Sequence, residues 1–144
     1  MAGTMDWQTD GVKFVRAQAI KDAIPDPTGM ARTTAFDFAG DQRAGTWIGS
    51  VSLQPHTKTA GHHHGRHEVA VYVIKGHGEI RWGERLEFTS EVGAGDFVYF
   101  APYVPHQELN LSHDDALDFV VVRSDKERIT IDLDIQPAEP SAKS

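Results

Sequence analysis

The sequence predicts an all-β domain, a barrel or sandwich of short strands. Three observations predict it. Apolar and polar residues alternate at period two over many short runs. Gly, Pro and Asp punctuate those runs at close intervals. No long segment carries apolar residues at helical spacing.

Taken in order, the candidate strands are Val12–Ala17, Arg32–Phe38, Thr46–Leu53, Glu68–Ile74 and Gly78–Trp82, followed by Leu86–Thr89, Asp96–Phe100, Gln107–Leu111, Leu117–Val122 and Arg128–Asp132. In the second, Phe36 and Phe38 share one face, and Thr33 and Asp37 the other. In the third, Trp47, Gly49, Val51 and Leu53 form one face, and Ile48, Ser50 and Ser52 the opposite one, as a half-buried strand requires. The breaks carry turn chemistry at Pro25-Asp26-Pro27-Thr28-Gly29, Lys75-Gly76-His77-Gly78, Trp82-Gly83-Glu84 and Gly93-Ala94-Gly95-Asp96.

A chain of 144 residues supports one domain with one core. We expect the barrel to span residues 11–135. Residues 1–10 form an arm that is loose or packs on a second subunit. Residues 136–144, rich in Pro, Ala and Ser, form a poorly ordered tail. The formal net charge is −7, without a basic run, which argues against nucleic acid or anionic lipid as a partner. No apolar run approaches the length of a membrane span, and residues 1–7 carry no secretory pattern. The absence of cysteine fits a reducing cytoplasm, the expected location.

Histidine carries the chemical signal. Five of the eight His residues lie between His56 and His67, just before the apolar run Val69–Ile74, and His106 follows another apolar run far along the chain. Neutral imidazole is the commonest protein ligand for transition metals, and a nearby carboxylate can complete such a site. On an extended chain His62 and His64 point to one side, about 7 Å apart along the strand, and His63 points the other way. Gly65-Arg66 allows a reversal that brings Glu68 back beside them. His56, His77 and His113 read as solvated turn residues, and Trp47, Trp82, Tyr72, Tyr99 and Phe100 as packing. No Cys nucleophile, nucleophile elbow or phosphate-binding loop is visible.

From about Thr46 to Val122 these residues resemble a small single-domain cupin. The family's first motif is roughly G, five residues, H-x-H, three or four residues, E, six residues, G. His62-x-His64, Glu68 and Gly76 follow it. The second is roughly G, five residues, P-x-G, two residues, H, three residues, N. Gly95, Ala101-Pro102-Tyr103, His106 and Asn110 follow that one, with 18 residues between Gly76 and Gly95. The chain departs from the pattern in four places. His56 stands at the first motif's leading Gly. Seven residues rather than six separate Glu68 from Gly76, leaving Val69 at the usual Glu position. Ala101 replaces Pro, and Tyr103 replaces Gly.

The resemblance implies a double-stranded β-helix, or jelly-roll barrel, holding Fe, Mn, Zn, Ni or Co. It implies His62, His64, Glu68 and His106 as metal ligands. Strand parity counted back from Gly76 instead turns His67 and Val69 inward and Glu68 outward unless a bulge intervenes, so the third ligand is Glu68 or His67. Tyr103 at the rim is a candidate catalytic or pocket-lining hydrogen-bond donor, and Gln107 a candidate supporting residue. The expected function is a metal-dependent enzyme, an oxygenase ahead of a lyase or isomerase, acting on a small oxygenated organic molecule. The alternatives are a non-catalytic sensor of a small ligand and a metal-free barrel. A homodimer is expected.

Overall fold

The computed structural model describes residues 6–20, 24–36, 45–127, 129–138 and 142–143. After a one-turn helix, α1 (Trp7–Asp10), and a 3-10 turn at Ala17–Ala19, the chain is built from strands. They are β1 (Met30–Phe36), β2 (Trp47–Leu53), β3 (Thr57–Lys58), β4 (His62–His63), β5 (Val69–Lys75), β6 (His77–Trp82), β7 (Phe88–Gly93), β8 (Phe97–Phe100), β9 (His106–Asn110), β10 (Leu117–Arg123), β11 (Ile131–Asp132) and β12 (Ala142–Lys143). One sheet has the order β1-β2-β10-β5-β8. The other runs β11-β4-β9-β6-β7-β12, with β3 also pairing β9. Among the described residues all pairs are antiparallel except β12 with β7, and the architecture is an all-β jelly roll. No helix among the described residues is long and apolar enough to cross a membrane.

The first sheet follows from the alternation. In β2 and β10 every second residue is buried. Their register sets Leu117 against Leu53, Phe119 against Val51, Val121 against Gly49 and Arg123 against Trp47. Val69, Val71 and Val73 of β5 continue the same face, and Ile80 and Phe100 close the cluster. Burying each such side chain is worth about 1.5–3 kcal/mol. Strand β9 differs, because all five of its residues are buried. It lies between β4 and β6, with His106 opposite His62 on one side and Trp82 on the other.

Three expected strands are corrected. Val12–Ala17 is irregular chain entering the 3-10 turn; Val12 and Phe14 are exposed, and alternation without a neighbouring strand cannot satisfy a ladder. Leu86–Thr89 starts instead at Phe88, because Leu86 lies in a turn at φ 51° and its N–H donates to Gly83 O. In the strand expected over Arg128–Asp132, Ile131–Asp132 pairs, Ile129 and Thr130 are irregular, and Arg128 lies outside the described residues. The strand expected over Arg32–Phe38 runs Met30–Phe36, and Asp37 and Phe38 lie outside the described residues.

The turn from β5 to β6 requires Gly76. Its φ is +89°, and a Cβ there would strike Ala116 O. Two positions where the chain lacks the family's glycine have the same demand: His56 stands at φ 59° and Tyr103 at φ 64°. An L side chain in that region costs about 1–2 kcal/mol. Tyr103→Gly is therefore expected to raise Tm by about 2–4 °C in thermal melts, the small loss being the ring contact with His63 at 5.7 Å. A lower Tm would mean that the ring outweighs the backbone strain.

Candidate metal centre

His62 sits on β4, His64 just beyond its end, and His106 opens β9. The pairing of His62 with His106 across the ladder brings the three rings together. Their centroids lie 4.3 Å apart for His62–His106 and 5.0 Å for the other two pairs. One nitrogen of each lies within 4.8 Å of the others, and all three residues are buried. The remote imidazoles thus share a focus.

Their hydrogen bonds fix which nitrogen faces it. His62 Nδ1 lies 2.7 Å from Ala60 O, His64 Nδ1 2.9 Å from Ile129 O, and His106 Nδ1 3.0 Å from Val104 O. A carbonyl oxygen only accepts, so each Nδ1 carries a proton and donates it. In the neutral ring Nε2 then keeps its lone pair. Buried His106 Nε2 has no hydrogen-bond partner. Three Nε2 lone pairs, each oriented by a backbone carbonyl, form a donor set suited to a transition metal rather than to Mg or Ca. The residues present fit the ion the family implies.

Beside them stands Glu108. Its Oε1 is 3.4 Å from His106 Nε2 and its Oε2 3.8 Å from His62 Nε2. Thr59 Oγ1 donates to Oε2 at 3.0 Å. Burial opposes the charged carboxylate, but the two imidazoles outweigh burial and lower its pKa. For His106 burial favours the neutral ring, yet the adjacent Glu108 charge dominates and raises the pKa. Burial prevails at His62, whose pKa is lowered. At His64 burial lowers the pKa to about 3.

This gives the metal-free protein a defined acid response. Unfolded His64 takes a proton near its model value of 6.5, whereas the folded residue does so near 3. Between those values the unfolded chain binds more protons, so falling pH favours unfolding. The His64 contribution is complete above about pH 6.5 and declines as pH drops toward 3. His106 acts oppositely: its contribution is complete below the unfolded value and is lost as pH rises through the folded one. His64→Asn should therefore lose less stability between pH 7 and pH 4 than the parent protein, as read from urea midpoints. Equal slopes would reject the assignment.

Other residues singled out in the sequence stand elsewhere. Glu68 is exposed, and its carboxylate accepts from Tyr99 Oη. Its N–H donates to Ser124 Oγ and its carbonyl accepts from Ser124 N, which holds the side chain outward. His67 is buried without a hydrogen bond to either ring nitrogen; its Nε2 lies 3.8 Å from Asp125 Oδ2. Neither joins the three imidazoles. Val69 is buried and lines the adjoining cavity. Tyr103 is 62% exposed and lies against His63. Gln107 is buried, donating from Nε2 to Thr59 O. Sequence reasoning passed over Glu108, although it stands two residues after His106 on one strand, where both must share a face.

The cavity beside the imidazoles has a volume of about 470 Å³. Val51, Val69, Val71, Phe119 and Val121 form its apolar wall, and Arg32, Lys58, Arg123, Asp26 and Asp132 its charged positions. Arg123 is buried, with its guanidinium 5.1 Å from the Trp47 ring and Nη1 donating to Ile129 O.

The chain belongs to the cupin family: the Cupin_2 family model, described as "Cupin domain", matches residues 49–123. No curated protein matches it. Among solved structures it is similar to the polyketide cyclase RemF from Streptomyces resistomycificus, at 20% identity and TM-score 0.69, over 86% of this chain and 87% of that one. A cupin-2 domain from Rhodospirillum rubrum shares 19% identity at TM-score 0.67, over 86% and 81%. A recombinant oxalate oxidase in complex with glycolate shares 20% identity at TM-score 0.70, over 88% and 67%. These likenesses carry the fold.

Proposed function

We propose that this protein is a metal-dependent cupin enzyme acting on a small oxygenated organic molecule, with His62, His64 and His106 holding the metal. The observation that carries the reading is the convergence of three buried imidazoles whose Nδ1 atoms are all committed to backbone carbonyls. A divalent transition metal bound there supplies Lewis acidity to a substrate oxygen or lowers the pKa of a bound water.

The chain's own residues define the rest. A cavity of about 470 Å³ suits a small organic ligand. Arg32, Lys58 and Arg123 favour carboxylate, carbonyl or enolate oxygens, Asp26 and Asp132 accept from hydroxyl groups, and the valines and Phe119 exclude water. An oxalate oxidase bound to glycolate and a polyketide cyclase share the fold, and both names agree with an oxygen-rich substrate. Oxygenase chemistry is placed first, ahead of lyase or isomerase. A homodimer completes the proposal, because β8 lies at a sheet edge and exposes Phe97 and Tyr99, as an edge awaiting cover does.

The test is elemental analysis of the purified protein. Reconstitution with Fe(II), Mn(II), Zn(II), Ni(II) or Co(II) follows, with product analysis and oxygen uptake on a panel of hydroxy acids, dicarbonyls and phenols. Metal-dependent turnover that disappears in His64→Asn supports the enzyme. Tight ligand binding without turnover at any metal replaces it with a sensor, and failure to bind any of the five ions leaves a metal-free barrel.

A further inference from the structure

We infer that the carboxylate ligand of this metal site is Glu108, supplied by the strand that carries His106, and not a residue of the stretch between His64 and Gly76. The inference rests on the three-imidazole reading and deepens it.

Four observations converge. First, His106 and Glu108 are two apart on β9, so both side chains face the interior beside His62. Second, Glu108 is 6% exposed, and a buried carboxylate demands a compensating cation. Third, its oxygens lie 3.4 Å from His106 Nε2 and 3.8 Å from His62 Nε2. Donor atoms bound to one ion at about 2.0–2.2 Å sit roughly 3.0–3.5 Å apart in tetrahedral or octahedral geometry, so Glu108, which stands beside the three-nitrogen cluster and not within it, reaches the same ion by a shift of its side chain toward His64. Fourth, the carboxylate is pre-positioned. Thr59 Oγ1 donates to Oε2 and accepts from the Glu108 N–H, each at 3.0 Å. Thr59 is itself held by Gln107 Nε2 on its carbonyl and by its own N–H on Glu108 O. Oε1 is the oxygen turned toward His106.

The stretch after His64 offers nothing equivalent. Val69 occupies the inward position with an apolar side chain, Glu68 is turned out to Tyr99, and His67 is turned to Asp125. The charge therefore arrives from the opposite strand. Three neutral imidazoles and one carboxylate leave a divalent ion with one net positive charge and room for substrate oxygen.

The experiment compares the parent protein, Glu108→Gln, Glu108→Asp and Glu68→Gln, each checked for folding by circular dichroism and melting. Metal affinity is read by competition with a chromophoric chelator, and coordination by the visible spectrum of the Co(II)-loaded protein. A crystal structure of that loaded parent measures the Glu108–metal distance. The expected result is Glu108 oxygen within about 2.3 Å of the ion. Glu108→Gln should weaken binding by more than about a hundredfold and change the Co(II) spectrum, exceeding the 10–100-fold typical of an outer residue. Glu108→Asp should fall between, and Glu68→Gln should match the parent. Weaker binding with an unchanged spectrum and a longer distance overturns the inference, making Glu108 only the ionic partner of His106. Full affinity in Glu108→Gln, or loss in Glu68→Gln, also overturns it while the three-imidazole site stands. If the parent binds no metal, the functional reading falls as well.

Discussion

His106→Ala is expected to cut metal affinity by more than about a hundredfold, since losing a ligand should exceed the 10–100-fold effect of an outer residue. His106 is completely buried and contributes one of three converging nitrogens. Its ring also stacks on Phe100, with centroids 4.0 Å apart at 22°, so truncation opens a void and costs about 2–4 kcal/mol. The two effects separate by measurement. Chelator competition reads the metal, and urea unfolding of metal-free protein reads the void. His64→Asn should lose the metal with a smaller stability loss, because His64 is less enclosed and makes no such stack. Full occupancy in both variants would dissolve the site.

The second large effect falls on a residue that touches no ligand. Asn110, completely buried, donates from Nδ2 to Leu53 O at 2.9 Å, Gln54 O at 3.2 Å and Asp115 O at 2.8 Å, and its Oδ1 accepts from Ser112 N. One amide thus ties the end of β9 to the end of β2 and to the loop leading into β10. Asn110→Ala leaves several buried backbone groups without partners at about 1–3 kcal/mol each. The expected loss is about 3–5 kcal/mol, read as a fall in Tm of about 10 °C or more. A change below about 1 kcal/mol would show that water replaces the amide at little cost.

Much of this was legible because it depends on local rules. Alternation placed Trp47, Val51 and Leu53 on one face of β2, where they are buried. The spacing of His62, His64 and His106 announced the three rings that the fold brings together. The carboxylate was harder to read. Distance from His64 favoured Glu68, but the inward set of β5 is Val69, Val71 and Val73, and parity then turns Glu68 outward. The same parity applied to β9 points to Glu108, yet a motif-led search does not look for an acid two residues after its last histidine. Tyr103 takes a φ of 64° and lies against His63, a contact that the strand pattern does not encode. Val12–Ala17 read as a strand because pattern reports amphipathicity and not the presence of a neighbour.

The three imidazoles are aimed by peptide oxygens at Ala60, Val104 and Ile129, residues whose own side chains are immaterial to that job. Nearby side chains can therefore drift during evolution without detuning the lone pairs, so that pocket chemistry diversifies while the metal cradle persists. The vulnerability moves to chain connectivity: clipping the polypeptide between Arg123 and Ile129 would release the carbonyl that aims His64, although every metal-binding side chain would still be present.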